Sequence, residues 1–312
     1  MKKSHPFSLI FCRGNATIER INLPVLAAVT ITILCWSSNF PVIRFVVRSY
    51  DPESLSVLRV WAGSVFLGLV ALAVRMPIPH WRDWPLLSLF GLVGIALATY
   101  TLNRGLHSVG ASAGSFLIAT TPVMSTLLAW AFFRERLHRW GMAGIAVSFC
   151  GVALIATGEG GGPSFNAGAW LVLASAASQA CYYVFQKFLH RRYSPLQITC
   201  TSVWSAALWL SVFMPGAWPV AAAAPWSASL GVLYLGIFPQ AVAFVAWNFA
   251  LSRAGAAQVT SSMYALPVLA TLIAWAWLGE VPPWLSLIGG GVALTGVAMV
   301  HLGGRGRLKR SG

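Results

Sequence analysis

The chain is a succession of apolar stretches, each about 20 residues long, separated by short polar breaks. Stretches of that length and character have no polar face to turn towards water, so each is expected to form a helix that crosses a bilayer. Ten qualify, near 24–43, 54–74, 85–103, 111–133, 140–157, 167–187, 196–214, 226–251, 256–278 and 284–302. The breaks carry residues that stop helices, among them Arg75-Met76-Pro77, Gly158-Glu159-Gly160 and Met214-Pro215-Gly216. Only 9% of residues are charged, against about a quarter in a soluble domain, so lipid must be the main solvent. Phe7 to Cys12 is a short apolar patch followed by Arg13, Glu19 and Arg20, which does not read as a secretory signal.

The net charge of +14 does not point to nucleic acid, because the basic residues sit in small clusters between apolar stretches. With the N-terminus inside, the inner segments hold 17 of the 21 Lys and Arg residues and the outer ones only Arg44, Arg48 and Arg104; Arg59 lies within a span. That asymmetry predicts a multi-pass protein of the bacterial inner (plasma) membrane with both termini cytoplasmic. The five cysteines, Cys12, Cys35, Cys150, Cys181 and Cys200, form no CxxC and no metal-ligand spacing, so no metal and no cofactor are expected.

A constant offset of 145 residues aligns the two halves without a gap. Asn103, Pro122, Trp130 and Glu135 fall on Asn248, Pro267, Trp275 and Glu280, and Gly144 and Gly151 fall on Gly289 and Gly296. Between 103 and 153 there are 17 identities. Bias towards Ala, Leu and Val does not account for paired Asn, Pro, Trp and Glu in one register. Five spans per repeat is an odd number, so the second copy enters the membrane the other way up. Inverted repeats of this kind build secondary transporters that open to either face. The expected fold is therefore all-α, with ten transmembrane helices in two inverted five-helix repeats. Residues 1–23 form an inner tail, 24–157 and 167–302 the repeats, 158–166 a periplasmic linker and 303–312 a basic inner tail.

These features resemble the drug/metabolite transporter superfamily, and within it the EamA family of ten-helix permeases. The matching pieces are Trp36 to Pro41, Arg59, Ala111 to Glu135, Gly144 to Gly151, Tyr182 to Lys187, Ala256 to Glu280 and Gly289 to Gly296. The resemblance implies a cavity between the repeats and export of amino acids, related metabolites or drugs. Related small multidrug exporters use a buried glutamate to bind cations and protons. Here the acids Glu19, Asp51, Glu53, Asp83, Glu135, Glu159 and Glu280 all fall in loops or at span ends, so quaternary cations are not the expected cargo.

Candidate substrate-binding residues are the deeper polar and aromatic groups: Asn39, Arg59, Tyr100, Asn103, Tyr182, Tyr183, Trp247, Asn248 and Tyr264. An amide at such depth serves equally to bond one helix to another, and Gln179 and Gln240 are of the same kind. Pro122 and Pro267 are expected to kink their spans and are hinge candidates. Glu135 and Glu280 cap or gate one face each, or are solvated interface residues. Arg44 is expected to pair with Asp51 or Glu53. Arg59 is buried deeply enough to need a specific partner, which is a helix-end carbonyl, an acid, or the carboxylate of a substrate. Arg59→Gln is expected to abolish export while the chain still inserts. Glycines at seven-residue spacing suit close helix contact, so the fifth and tenth spans support the fold or form a homodimer. The expected partners are a small-molecule substrate and the lipid bilayer. A membrane enzyme acting on a lipid-linked group would need acids, histidines or a nucleophile clustered at one depth. A scaffold would normally carry a soluble domain. Neither feature is present in the sequence.

Overall fold

In the computed structural model, the described residues are 23–133, 139–159, 167–189, 192–253, 259 and 262–305. Among them the chain is all-helical with short connecting turns and has no strand. Their helical stretches, with consecutive turns taken together, follow one another in chain order. Helices α1 and α2 are Leu23–Val46 and Pro52–Ala73. Helix α3 is Trp81–Gly105, and α4 is made of Ala111–Ile118 and Thr121–Phe133. Helices α5 and α6 are Arg139–Glu159 and Ala167–Leu189. Helix α7 is Pro195–Ala223, and α8 runs from Trp226 to Arg253. Helix α9 is Ser262–Leu278 and α10 is Trp284–Arg305.

Six of these are long and apolar enough to cross a membrane, namely α1 to α4, α7 and α8, and apolar stretches of α5, α9 and α10 are shorter. A helix of 22 residues such as α2 is about 33 Å long, which matches the hydrocarbon thickness. Outward-facing Leu69, Leu72, Trp130, Phe132, Leu208, Trp209 and Trp226 are exposed and form a surface suited to lipid.

The second helix of each half starts in a similar way. Asp51 caps α2 by accepting from Ser54 N at 2.9 Å, with Pro52 in the first turn. Ser194 and Gln197 cap α7 reciprocally, with Pro195 in the first turn. Both arrangements satisfy N–H groups that a helix start leaves bare. One expected break does not end its helix. After a short 3₁₀ turn over Ser211–Phe213, the backbone resumes as a helix at Met214–Ala223, because Pro215 sits in a first turn where its missing N–H costs nothing.

Helices α3 and α8 each widen into a π-helical stretch, over Leu92–Leu97 and Gly236–Val242. Shifted by 145, the first falls on residues 237–242 of the second. Pro239 accounts for the one in α8, since a proline breaks the regular ladder. Each stretch offers a carbonyl to the other half of the chain. Trp36 Nε1 of α1 donates to Pro239 O at 3.1 Å, and Ser178 Oγ of α6 donates to Val93 O. Helix α4 bends at Ala119–Thr120, next to Pro122, and Thr121 Oγ1 donates to the freed Ile118 carbonyl at 2.6 Å. Pro267 lies where a 3₁₀ turn over Ser262–Tyr264 meets the α-helix Ala265–Ile273.

The seven-residue glycine stripes meet each other. A β-carbon on Gly144 would lie 2.6 Å from Gly296 O, and one on Gly289 would lie 2.7 Å from Gly151 O. Those two contacts are the same contact with the halves exchanged. Helices α5 and α10 therefore cross in backbone contact within a single chain, which only glycine permits.

Candidate functional site

Between the halves lies a cavity of about 70 Å³. Its polar wall carries Asn39 of α1, Arg59 of α2, Gln179 and Tyr183 of α6 and Gln240 of α8. Its apolar wall includes Trp36, Phe40, Phe244, Met263 and Leu266. Both π-helical stretches contribute, through Gly94 and Ile95 on one side and Pro239 and Gln240 on the other. Gly94 and Ile95 are the 145-offset mates of Pro239 and Gln240, and Ile118 is the mate of Met263. Equivalent positions of the two halves thus line one space.

Arg59 is the most demanding group in the wall. It is 3% exposed, and its charge is held by neutral partners. Nη1 donates to Asn103 Oδ1 at 3.1 Å and Nη2 donates to Asn39 Oδ1 at 2.8 Å, while Nε has no partner. Asn103 is held from behind, its Nδ2 donating to Ser56 Oγ at 2.8 Å. Amide oxygens orient a guanidinium but do not cancel its charge.

The sequence candidates therefore separate. Asn39, Arg59 and Tyr183 line the cavity, and Asn103 stands directly behind Arg59. Tyr182 is buried beside Tyr183, with ring centroids 5.9 Å apart, and is not part of the wall. Trp247 packs behind Trp36 at 5.2 Å. Asn248 Nδ2 donates to Thr199 Oγ1 at 2.8 Å, joining α8 to α7 as its mate Asn103 joins α3 to α2. Tyr100 faces away, donating to Glu53 at 3.1 Å and stacking on Phe213 at 5.6 Å. Tyr264 donates to Val297 O of α10 at 3.3 Å. Thr99 and Phe244 belong to the wall although nothing in their local sequence marks them as more than packing residues, and Trp36, at the head of the Trp36 to Pro41 stretch, joins them there.

At one end of the bundle, Glu280 organises a clasp. Its Oε1 accepts from Arg44 Nε at 3.0 Å and its Oε2 accepts from Ala111 N at the start of α4 at 3.1 Å. Arg44 Nη1 also donates to the carbonyls of Leu106 and His107 at 2.9 and 3.1 Å. Gly279, at φ +66, ends α9 in the left-handed conformation just before Glu280. The expected pairing of Arg44 with Asp51 or Glu53 is thus corrected. Asp51 is occupied as a helix cap, and Glu53 pairs with Arg104. Sequence proximity gave way to a partner 236 residues further on. Glu135, the mate of Glu280, lies outside the described residues.

Long apolar helices around a central cavity with few polar groups are the build of a membrane transporter. A profile of the EamA-like transporter family matches residues 23–157 and 166–302. The chain belongs to that family. It is 37% identical over 284 residues to a probable terminal-alkyne amino-acid exporter of Streptantibioticus cattleyicolor, covering 91% of this chain and 95% of the relative. It is 34% identical over 285 residues to the uncharacterized transporter YdfC of Bacillus subtilis, covering 91% and 93%. The uncharacterized inner membrane transporter YedA of Escherichia coli K12 is 25% identical over 284 residues, covering 90% and 92%. A solved crystal structure matches with a TM-score of 0.63 at 21% identity, covering 89% of this chain and 96% of its own, which is a likeness of fold.

Proposed function

We propose that the protein is a secondary transporter of the bacterial inner (plasma) membrane that exports small metabolites by alternating access. Amino acids and related compounds are the proposed cargo, with drugs as a wider class. The observation that carries this reading is the pairing of contacts under exchange of halves: Gly144 with Gly296 and Gly289 with Gly151, around a cavity walled by mated residues. Two interchangeable halves are what a rocking transporter needs, since each conformation of one half is available to the other. The Streptantibioticus relative, named as a probable exporter of a terminal-alkyne amino acid, supports an amino-acid cargo.

In this reading the ten helices are ten spans, residues 24–157 and 167–302 are the inverted repeats, and both termini are cytoplasmic. The segment 158–166 is periplasmic, and the tails 1–23 and 303–312 are inside. The Glu280–Arg44 clasp lies at the outer end and gates it, and Glu135 serves the inner end. Pro122 and Pro267 are hinges beside the cavity, acting with the π-helical stretches of α3 and α8, where the ladder is already loosened. A homodimer through α5 and α10 would use outward Trp140, Met142, Phe149 and Ile288, because the glycine faces are already occupied.

Two measurements test the reading. Reporter tags after residues 160 and 305 should report opposite sides of the membrane; a common side would refute the inverted repeat. Proteoliposomes loaded with labelled amino acids should show carrier-mediated counterflow, and a substrate panel without any flux would refute transport.

A further inference from the structure

Arg59 raises a problem of charge. A buried guanidinium is costly unless something negative stands near it. Among the described residues, the carboxylates of Asp51, Glu53, Asp83 and Glu280 are all engaged elsewhere. Asp51 caps α2, Glu53 pairs with Arg104, Asp83 accepts from Arg192 and Tyr193, and Glu280 holds Arg44 and Ala111 N. No described acid lines the cavity. Two amides fix the fork, and its Nε is left without a partner. A guanidinium has five N–H donors, and two of those of Arg59 are used in these bonds. The same cavity is lined by Trp36, Phe40, Phe244, Met263 and Leu266, which supply an apolar bed.

We propose that this cavity binds amphipathic monocarboxylates. The carboxylate is read by the Arg59 fork, the apolar body lies against the aromatic wall, and an amino group on the ligand is tolerated but not required. The proposal deepens the transporter reading and rests on it for the claim that the bound molecule is cargo. Arg59 and a carboxylate together are neutral, and the free donors suit a bidentate bond to its two oxygens. An ammonium finds no counter-charge in the described wall, so a simple amine brings a second positive charge beside the first. The cavity of about 70 Å³ has room for a handful of waters at roughly 10–15 Å³ each, hence for a ligand of about that many heavy atoms.

The probes are four molecules of one length: pentanoate, 2-aminopentanoate, pentanamide and pentylamine. Each is added to the purified full chain in detergent and thermal unfolding is followed. Both carboxylates should raise the midpoint with similar affinity, and the amide and the amine should not. Arg59→Gln should remove the response, and Arg59→Lys, which keeps the charge and loses the fork, should weaken binding about tenfold or more. Stabilisation by pentylamine or pentanamide equal to that by pentanoate would overturn the assignment. So would the absence of any response to the carboxylates. If the Arg59 variants do not fold, the four-probe series on the unaltered chain decides. Counterflow in proteoliposomes separates the two readings: carboxylate binding without flux defeats the transporter reading alone, and flux indifferent to carboxylates defeats the carboxylate site alone.

Discussion

Replacing Glu280 tests whether the clasp at one end of the bundle holds that end shut. Glu280 and Arg44 are 20% and 25% exposed, between a solvated surface pair and a buried one. A hydrogen bond to a charged group contributes about 1.5–3 kcal/mol when shielded, and an exposed ion pair about 0.2–1 kcal/mol. Glu280→Gln keeps a carbonyl oxygen that can still accept from Ala111 N and loses the charge facing Arg44, so it should weaken the closed arrangement by about 1 kcal/mol. Glu280→Ala also strips the bond at the α4 start, for a total of about 2–3 kcal/mol. At 1.4 kcal/mol per decade, the open population should rise about fivefold for Gln and about thirty- to a hundred-and-fortyfold for Ala. The assay places a single cysteine at Thr99, in the cavity wall, in a chain otherwise free of cysteine. Its labelling by a membrane-impermeant maleimide is timed from the outer side of intact cells. Asp83→Asn, which disturbs a pair joining the start of α3 to the α6–α7 loop, is the control for general loosening and should leave outer labelling unchanged. Equal labelling rates for Glu280→Ala and the unaltered chain would refute the gate, as would equal acceleration by Asp83→Asn.

The crossing of α5 and α10 predicts a contrast between two glycines of one helix. A β-carbon at Gly151 would lie 2.5 Å from Gly289 O and 2.7 Å from the Ala293 Cα, whereas one at Gly141 meets nothing within 4 Å. Gly151→Ala should destabilise by about 1–3 kcal/mol and Gly141→Ala should be neutral or stabilising by up to about 1 kcal/mol, read from unfolding midpoints in detergent. Asn103→Ala should impair transport more than Asn248→Ala, because Asn103 orients the cavity's arginine while its mate joins α8 to α7; counterflow rates of the two variants check this. Tyr193, in the loop between α6 and α7, has its hydroxyl pKa raised above the ordinary 10.0, mainly by donating to Asp83. Its folded value lies above the unfolded one, so its contribution is full below pH 10.0 and fades as pH rises beyond it. The stability gap between the unaltered chain and Tyr193→Phe should therefore close in alkali, and a gap that widens there would contradict the bond.

Much of the architecture was legible because membrane folding is governed by length and polarity. A stretch such as Pro52–Ala73 must satisfy its backbone internally, so it announces itself as a helix. The glycine spacing at 144, 151, 289 and 296 announced a close crossing, though not that the two stripes would meet each other within one chain. Arg59 announced itself because a charge in an apolar stretch is costly. Tyr183 did not differ from Tyr182 by any local signal, since which of two neighbours faces the cavity depends on how α6 is rotated against α3. The π-helical stretch in α3 was equally silent, having no proline to give it away.

Hydropathy, basic-residue placement and the 145-residue repeat belong to the chain alone. They determine helices, a membrane environment and two related halves, because each depends on composition along a single strand of polymer. Partners were decided only by the tertiary structure. Arg44 bypassed the nearby acids for Glu280, and Arg59 met two amides instead of a carboxylate. A side chain's partner depends on which helices pack side by side, and that follows from the summed packing of the whole bundle, to which residues close in sequence have no privileged claim.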